Sequence, residues 1–433
     1  ITMQSKRIYT VLIIIFISLS VQGQKLTNSP YGRFNFGVLN PQGTFRSLAM
    51  GGASIAFRDN NSINFNNPAS YSSLDTNSFV FDMGMDLSRL SVDDGTNKTT
   101  SVDMNFRHIM LGFPLSRRIG VAAGLVPFSN GYYYMKRNVT SESPDWDPLT
   151  GEYSSYHKGT GSLTSLFAGA AIDITKNISA GFNLTAMFGK LGRLNQFDFD
   201  DYQSTFSQNS TEYFTISGLN LDYGIQYGGK IKKDYFITLG ASFTGARNYK
   251  STLSVLKQRY SVYVLSPYSP DTLAYSSYSA TDSTRLPSTF RFGFTFGKTD
   301  KFLFGADYIT SLWSEAKVQG TGVPMADTRS VMAGIEYIPD KYSNTNFLKR
   351  IEYRLGGHIS QNYLVINNNR INEYGISGGM AFRLRTSLSK ATFYIDYTVR
   401  ERNISEGIPS EHIFSVGASL NFYDYWFLKR KYD

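Results

Sequence analysis

The stretch Phe290-Arg291-Phe292-Gly293-Phe294-Thr295-Phe296-Gly297 decides how this chain folds. Every second residue is phenylalanine, and the residues between them are Arg, Gly, Thr and Gly. Side chains of a strand point alternately to its two faces, so one face here meets an apolar medium and the other something polar. The pattern recurs in Tyr235, Ile237, Leu239, Ala241, Phe243, in Phe393, Ile395, Tyr397, Val399, and in Phe414, Val416, Ala418, Leu420, Phe422. Intervening strand positions include Asn220, Asp222, Gln226, Arg291, Asp307 and Asp396. Such groups are very costly against lipid, which places them in the lumen of a closed barrel.

Fourteen segments of this kind centre near residues 79–88, 102–113, 119–127, 162–172, 178–188, 217–228, 235–245, 288–297, 302–312, 329–338, 351–360, 374–384, 392–400 and 413–422. Their connectors alternate. Short ones lie at 116–118, 175–177, 229–234, 298–301, 339–350 and 387–390, and longer polar ones near 90–101, 128–160, 190–215, 246–286, 313–327, 361–373 and 401–412. An even strand count with alternating turns and loops predicts an all-β, antiparallel, up-and-down transmembrane barrel of about 14 strands in a bacterial outer membrane. Both ends of the chain then sit at the periplasmic or luminal side. Aromatic residues make up 15% of the chain, as interfacial girdles require.

Composition excludes several alternatives. Cysteine is absent, which removes a disulfide framework, a thiolate metal site and an N-terminal lipid anchor. The 43 Lys and Arg against 34 Asp and Glu give a net charge of +9, but the cations do not cluster on one helix or tail, so nucleic acid is not an expected partner. Lys6 and Arg7 followed by the apolar run Ile8 to Leu19 read as a signal peptide, residues 1–23, cleaved before Gln24. Its loss removes two cations and lowers the net charge from +9 to +7.

The short turns are basic, with Arg117, Arg118, Lys176, Lys230, Lys298, Lys301 and Lys390 among them. The long loops hold Asp93-Asp94, Asp145, Asp147, Asp200-Asp201, Glu401, Glu406 and Glu411. This is either ordinary rim solvation or an acidic mouth that binds divalent cations or a protein partner. After the last strand, residues 423–433 form a tail in which Trp426 and Phe427 precede Lys429, Arg430 and Lys431, the order in which a chain leaves a membrane interface.

Between the signal peptide and the barrel of residues 76–422 lie residues 24–75, which lack barrel periodicity. Eight strands leave a lumen that side chains can fill and sixteen leave an aqueous channel. A fourteen-stranded barrel lies between, so this segment is expected to be a plug. Gly51-Gly52 permits backbone shapes closed to other residues. In Asn67-Pro68-Ala69, Asn67 can bond local backbone and Pro68 fixes φ, which makes a rigid turn.

Here the sequence resembles the FadL/TodX family of outer-membrane transporters for hydrophobic compounds. Ser47-Leu48-Ala49-Met50-Gly51-Gly52-Ala53-Ser54-Ile55-Ala56, followed by Asn67-Pro68-Ala69, looks like that family's N-terminal hatch. Asn28-Ser29-Pro30-Tyr31-Gly32-Arg33-Phe34 looks like its Bacteroidota-type branch, and Leu286-Pro287 resembles the start of a mid-barrel strand. The resemblance implies a hatch built on Gly51, Gly52, Asn67, Pro68 and Ala69, and passive transport of hydrophobic molecules such as long-chain fatty acids by hatch rearrangement and lateral opening. Gly356-Gly357 and Gly378-Gly379 are candidates for the bend in the wall. The implied partners are outer-membrane lipid, lipopolysaccharide and the hydrophobic ligand.

A second reading is an accessory or structural subunit of a larger outer-membrane secretion or assembly complex, with protein partners at the periplasmic rim or the loops. An enzyme is not expected. The four histidines His108, His157, His358 and His412 have no metal-ligand spacing, and no cofactor signature appears.

Overall fold

The structure, a computed structural model, describes residues 29–144, 146–199, 207–260, 271–320, 322–384, 389–401 and 409–425. The signal segment, Asn28, Asp145, Asp200-Asp201, Glu406 and the tail beyond Tyr425 lie outside the described residues. Fourteen strands form the wall: β1 Ser78–Asp93, β2 Lys98–Pro114, β3 Ile119–Asn130 continued by Tyr133–Val139, β4 Tyr153–Asp173, β5 Ile178–Phe199, β6 Ser207–Lys230, β7 Tyr235–Thr244 continued by Arg247–Tyr260, β8 Asp271–Leu286 continued by Thr289–Lys298, β9 Phe302–Ser311, β10 Thr328–Tyr337, β11 Glu352–Ile366, β12 Asn369–Arg383, β13 Lys390–Arg400 and β14 Ser410–Tyr425. Each pairs antiparallel with its sequence neighbour, and β14 closes the barrel on β1 from Ser410↔Asp93 to Tyr425↔Ser78.

The two faces of the wall differ as the alternation predicts. Phe292, Phe393, Ile395 and Val416 are 52, 51, 53 and 42% exposed, while Asp307, Asn220, Gln226 and Asp396 on the other face are all buried. Covering each of the outward phenylalanines and isoleucines stabilises by about 1.5–3 kcal/mol, and a bilayer is the medium that covers a continuous belt of them. At the short-turn rim Lys298 lies over Tyr235 at 5.5 Å and Lys301 over Tyr337 at 5.5 Å. Such cations end the apolar belt, their stems on the ring and their charge in water.

The strands run further than the sequence reading placed them, into the connectors near 90–101, 128–160 and 361–373 and furthest in two others. The connectors near 190–215 and 246–286 are largely strand, because β5 and β6 stay paired as far as Phe197↔Gln208 and the second half of β7 pairs with the first half of β8. Beyond the lipid both faces of a hairpin meet water, so the hydropathy alternation vanishes while the ladder continues. From Asp271 to Ser279 every residue is exposed, and none of that edge pairs with β9.

One seam interrupts the wall. The β2–β3 ladder runs only from Pro114↔Gly120 to Ile109↔Leu125, although β2 continues on its other side to Lys98, paired with Asp93. Beyond Leu125 the edge of β3 is taken instead by Val38–Leu39, with Val38 opposite Asn130 and Leu39 opposite Ser129. Asn40 N–H donates to Phe128 O at 2.9 Å and the Gln42 amide to Pro127 O at 3.1 Å. The pairs expected to bend, Gly356-Gly357 and Gly378-Gly379, sit in a regular ladder (Gly356↔Ser377, Leu355↔Gly378). Pro127, which lacks an N–H, marks a ladder shift in β3.

Candidate functional site

The residues from Ser29 to Leu74 are folded against the inward face of the wall and touch all fourteen strands. Phe45 packs between Gly84 of β1 and Gly417 of β14, against His108 of β2, and stacks on Tyr394 of β13 at 5.1 Å. Phe65 stacks on Phe167 of β4 at 5.6 Å. Tyr71 donates to Asn183 of β5 at 3.0 Å, and the Ser129 hydroxyl of β3 donates to Phe36 O at 2.6 Å. Thr295 of β8 donates to Ala56 O, and Asp307 of β9 accepts Ser54 N–H at 2.6 Å and Ile55 N–H at 2.9 Å.

Asn67 is fully buried. Its Oδ1 accepts Ala69 N–H at 3.2 Å, which is the local turn. Its Nδ2 also donates to Ile55 O at 2.8 Å, to Ile225 O of β6 at 3.2 Å and to Ala241 O of β7 at 3.4 Å, so one amide joins two parts of the segment and two strands. Pro68 opens a 3-10 helix over Pro68–Ser73 at a position where a missing N–H costs nothing, and Ala69 is fully buried within it. Gly51 has φ +72° and its N–H donates to Ser377 of β12 at 2.9 Å. A Cβ on Gly51 would lie 2.3 Å from Gly357 O of β11, and one on Gly52 (φ +96°) 2.9 Å from Met332 Sδ of β10.

Charge holds the same contact on the short-turn side. Arg46 pairs with Asp59 and with both oxygens of Glu336, at 3.0 Å each. Arg354 bridges Glu336 at 2.7 Å and Glu352 at 2.5 Å, and Lys390 completes the chain to Glu352 at 2.8 Å. Arg58 reaches Asp173 at 2.7 Å, Ser179 at 2.8 Å and Ser72 at 3.1 Å. Burial pushes the Tyr71 hydroxyl well above its ordinary range.

The strand sequences carried a signal that alternation alone does not decode: inward glycines mark where the segment approaches the wall. A Cβ on Gly120, Gly224, Gly240 or Gly356 would fall 1.9, 2.1, 2.3 or 2.1 Å from Tyr71 O, Asn67 Oδ1, Ile55 O or the Met50 carbonyl carbon. Two of the cavities among the described residues lie between the segment and the wall. One of about 150 Å³ lies toward the long hairpins, bounded by Phe65, Val126, Phe128, Phe167, Trp313 and Arg291. The other, about 320 Å³, opens among the short turns beside Asp59, Lys298, Asp300 and Lys341.

Of the acidic groups assigned to the long loops, Asp94 and Asp147 are engaged locally, whereas Glu411 is buried in β14 and accepts from Arg400 at 2.6 Å and Ser29 at 2.5 Å. Asp94 accepts N–H groups from Asn97 and Thr96, which draw its pKa down to about 2. No group of three or more His, Asp or Glu is placed to hold a metal among the described residues. His108 is buried against Asp82 at 2.8 Å.

A closed fourteen-stranded membrane barrel with its own N-terminal segment folded against the inner wall is the class of protein that these features define. Residues 4–433 match the family model described as BamG, and the chain belongs to the BamG family. Among solved structures it is similar to the Pseudomonas putida toluene transporter TodX, at 16% identity over 91% of this chain and 100% of that one, with a TM-score of 0.58. It is likewise similar to a Pseudomonas aeruginosa FadL homologue (14% identity, 89% and 98% covered, TM-score 0.57). The CymD monoaromatic hydrocarbon channel also matches (16%, 90% and 98%, 0.54). No curated protein matches the chain.

Proposed function

We propose that this barrel sits in the bacterial outer membrane with its short turns and both ends periplasmic. In this reading it passes small hydrophobic molecules from the outer cavity through the β2–β3 seam into the bilayer. The observation that carries the proposal is that one segment does two jobs. Residues 45–74 fill the bore, and Val38 to Gln42 of the same segment occupy the β3 edge that β2 abandons. Movement of the plug therefore exposes the seam, and the driving force for exit is burial of apolar surface, roughly 25 cal/mol per Å². The similar structures named for toluene and monoaromatic hydrocarbons support a ligand of that size.

The chain has no cysteine, so one pair can be introduced cleanly. Val38→Cys with Asn130→Cys joins ladder partners, whose Cα separation of about 4.5–5.5 Å suits a disulfide. The oxidised variant should lose uptake of toluene into proteoliposomes and regain it on reduction. Equal uptake in both states would remove the seam from the mechanism.

A second reading, a barrel subunit of a larger outer-membrane secretion or assembly complex, is favoured by the unpaired edge Asp271–Ser279, where Leu273, Tyr275 and Tyr278 are 53, 67 and 65% exposed. An exposed edge of this kind accepts another chain's strand. Stoichiometric proteins retained through purification in mild detergent would favour it, and a lone barrel would favour transport.

A further inference from the structure

The outer cavity contains a charge without a counter-ion in contact. Arg291, on the inward face of β8, lies between the plug and the wall, and its Nη1 donates to the Thr244 hydroxyl at 2.9 Å. Among the described residues that is its one hydrogen bond, and no carboxylate lies within ion-pair distance of it. The nearby carboxylate, Asp222, is already engaged. It accepts Thr185 Oγ1 at 2.7 Å and Thr244 Oγ1 at 2.6 Å. A guanidinium carries five N–H donors, so four remain for whatever enters. Other arginines of this lumen are paired: Arg46, Arg354 and Arg400 each bond two carboxylates.

The rest of the lining is mixed, with Asn66, Asn183, Asn220 and Asp222 on its polar part and an apolar part on which a ring can rest. Phe65, Phe128, Phe167, Met187, Leu286 and Trp313 line that apolar part. The cavity volume of about 150 Å³ matches the size of cavity that accepts a single benzene ring.

We propose that this cavity binds a small aromatic carboxylate, with Arg291 as the head-group ligand and the ring among these apolar side chains. The proposal rests on the transport reading for its route into and out of the cavity, and it narrows the substrate class from hydrocarbons to amphipathic acids. Arg291 holds the carboxylate by two parallel N–H donors, the geometry in which arginine excels over lysine. Thr244, whose hydroxyl is itself bonded to Asp222, holds one N–H of the guanidinium.

The full chain in detergent, titrated calorimetrically with benzoate, benzamide and toluene at pH 7.5, tests this. Benzoate should bind at least tenfold more tightly than either neutral probe. Arg291→Gln should weaken benzoate at least tenfold and leave toluene unchanged, and Arg291→Lys should recover part of the loss. Phe128→Trp keeps the cation and fills the cavity, so it should weaken all three probes. Benzoate bound equally by the Gln variant, or no tighter than toluene, overturns the head-group role. No binding by any probe overturns the site. Either result leaves the disulfide-locking experiment on the seam to judge transport by itself.

Discussion

Arg46 of the N-terminal segment meets Glu336 of β10 through two parallel hydrogen bonds, Nε to Oε2 and Nη2 to Oε1, both at 3.0 Å. The pair joins the plug to the wall, and Arg354, Glu352 and Lys390 extend it along three further strand positions. In a nearly buried network a charge left without its partner is costly, whereas the net contribution of the intact network is small. Arg46→Gln leaves Glu336 with Arg354 alone, so it should destabilise the barrel by about 1–3 kcal/mol. The midpoint of heat-induced mobility shift in detergent reads this, and solute leakage through liposomes should rise alongside. A double-mutant cycle with Glu336→Gln should show coupling, and strict additivity would mean that the pair does not hold the plug.

Most of the wall was legible in the sequence because a barrel in lipid imposes a period of two on every strand. Each of the fourteen segments read from alternation falls on an observed strand, six of them overrunning it by one residue. The reading stopped where its cause stopped. Past the membrane, Asp271–Ser279 stays paired with Arg259–Thr252 while every residue is exposed, and no hydropathy pattern marks it. The seam was not legible either. Nothing in Lys98–His108 distinguishes a strand with one neighbour from a strand with two, because that depends on where Val38–Leu39 lies. Gly51, Gly52, Asn67, Pro68 and Ala69 were picked out by motif, but the reach of the Asn67 amide to β6 and β7 is a tertiary fact. Arg291 was read as a lumen residue, yet its lack of a carboxylate partner is visible only when the neighbouring strands are in place.

Asp300, in the short turn between β8 and β9, gives a pH dependence whose sign can be worked out. Burial alone would raise its pKa. The hydrogen bonds from Lys341 and from the Tyr342 hydroxyl outweigh that and hold it below the ordinary carboxylate range. A depressed folded pKa contributes stability that is present above the unfolded value, about 3.9, and is lost as pH falls through the folded value. The tie between this turn and the connector after β10 should therefore be constant from pH 5 to 8 and weaken below about pH 4. Hydrogen exchange of residues 340–350 measures it, corrected for the intrinsic pH dependence. Asp300→Asn should raise exchange at pH 7 and flatten the acid limb. A wild-type profile that is flat down to pH 3 would show that the tie carries no protection.

Gly51 separates a tight seat from a loose one. Its φ of +72° strains any side chain, and a Cβ there would lie 2.3 Å from Gly357 O and 2.8 Å from Ala333 O, both backbone atoms of strands that cannot retreat. Gly228, at the short-turn end of β6, is the matched control, since a Cβ there meets only Thr238 Oγ1 at 3.9 Å. Gly51→Ala should cost about 1–3 kcal/mol for strain alone, and the accompanying clash falls between the plug and the β10–β11 wall. The outward face is untouched, so the variant should still insert as a barrel. Its bore should leak small polar solutes, and protease added to the periplasmic face should cut within residues 45–60. Gly228→Ala should behave as the parent in both assays. If Gly51→Ala stays sealed and protected, the backbone contact between plug and wall is not what closes the bore, and the ion pairs of Arg46 and Arg58 would have to suffice.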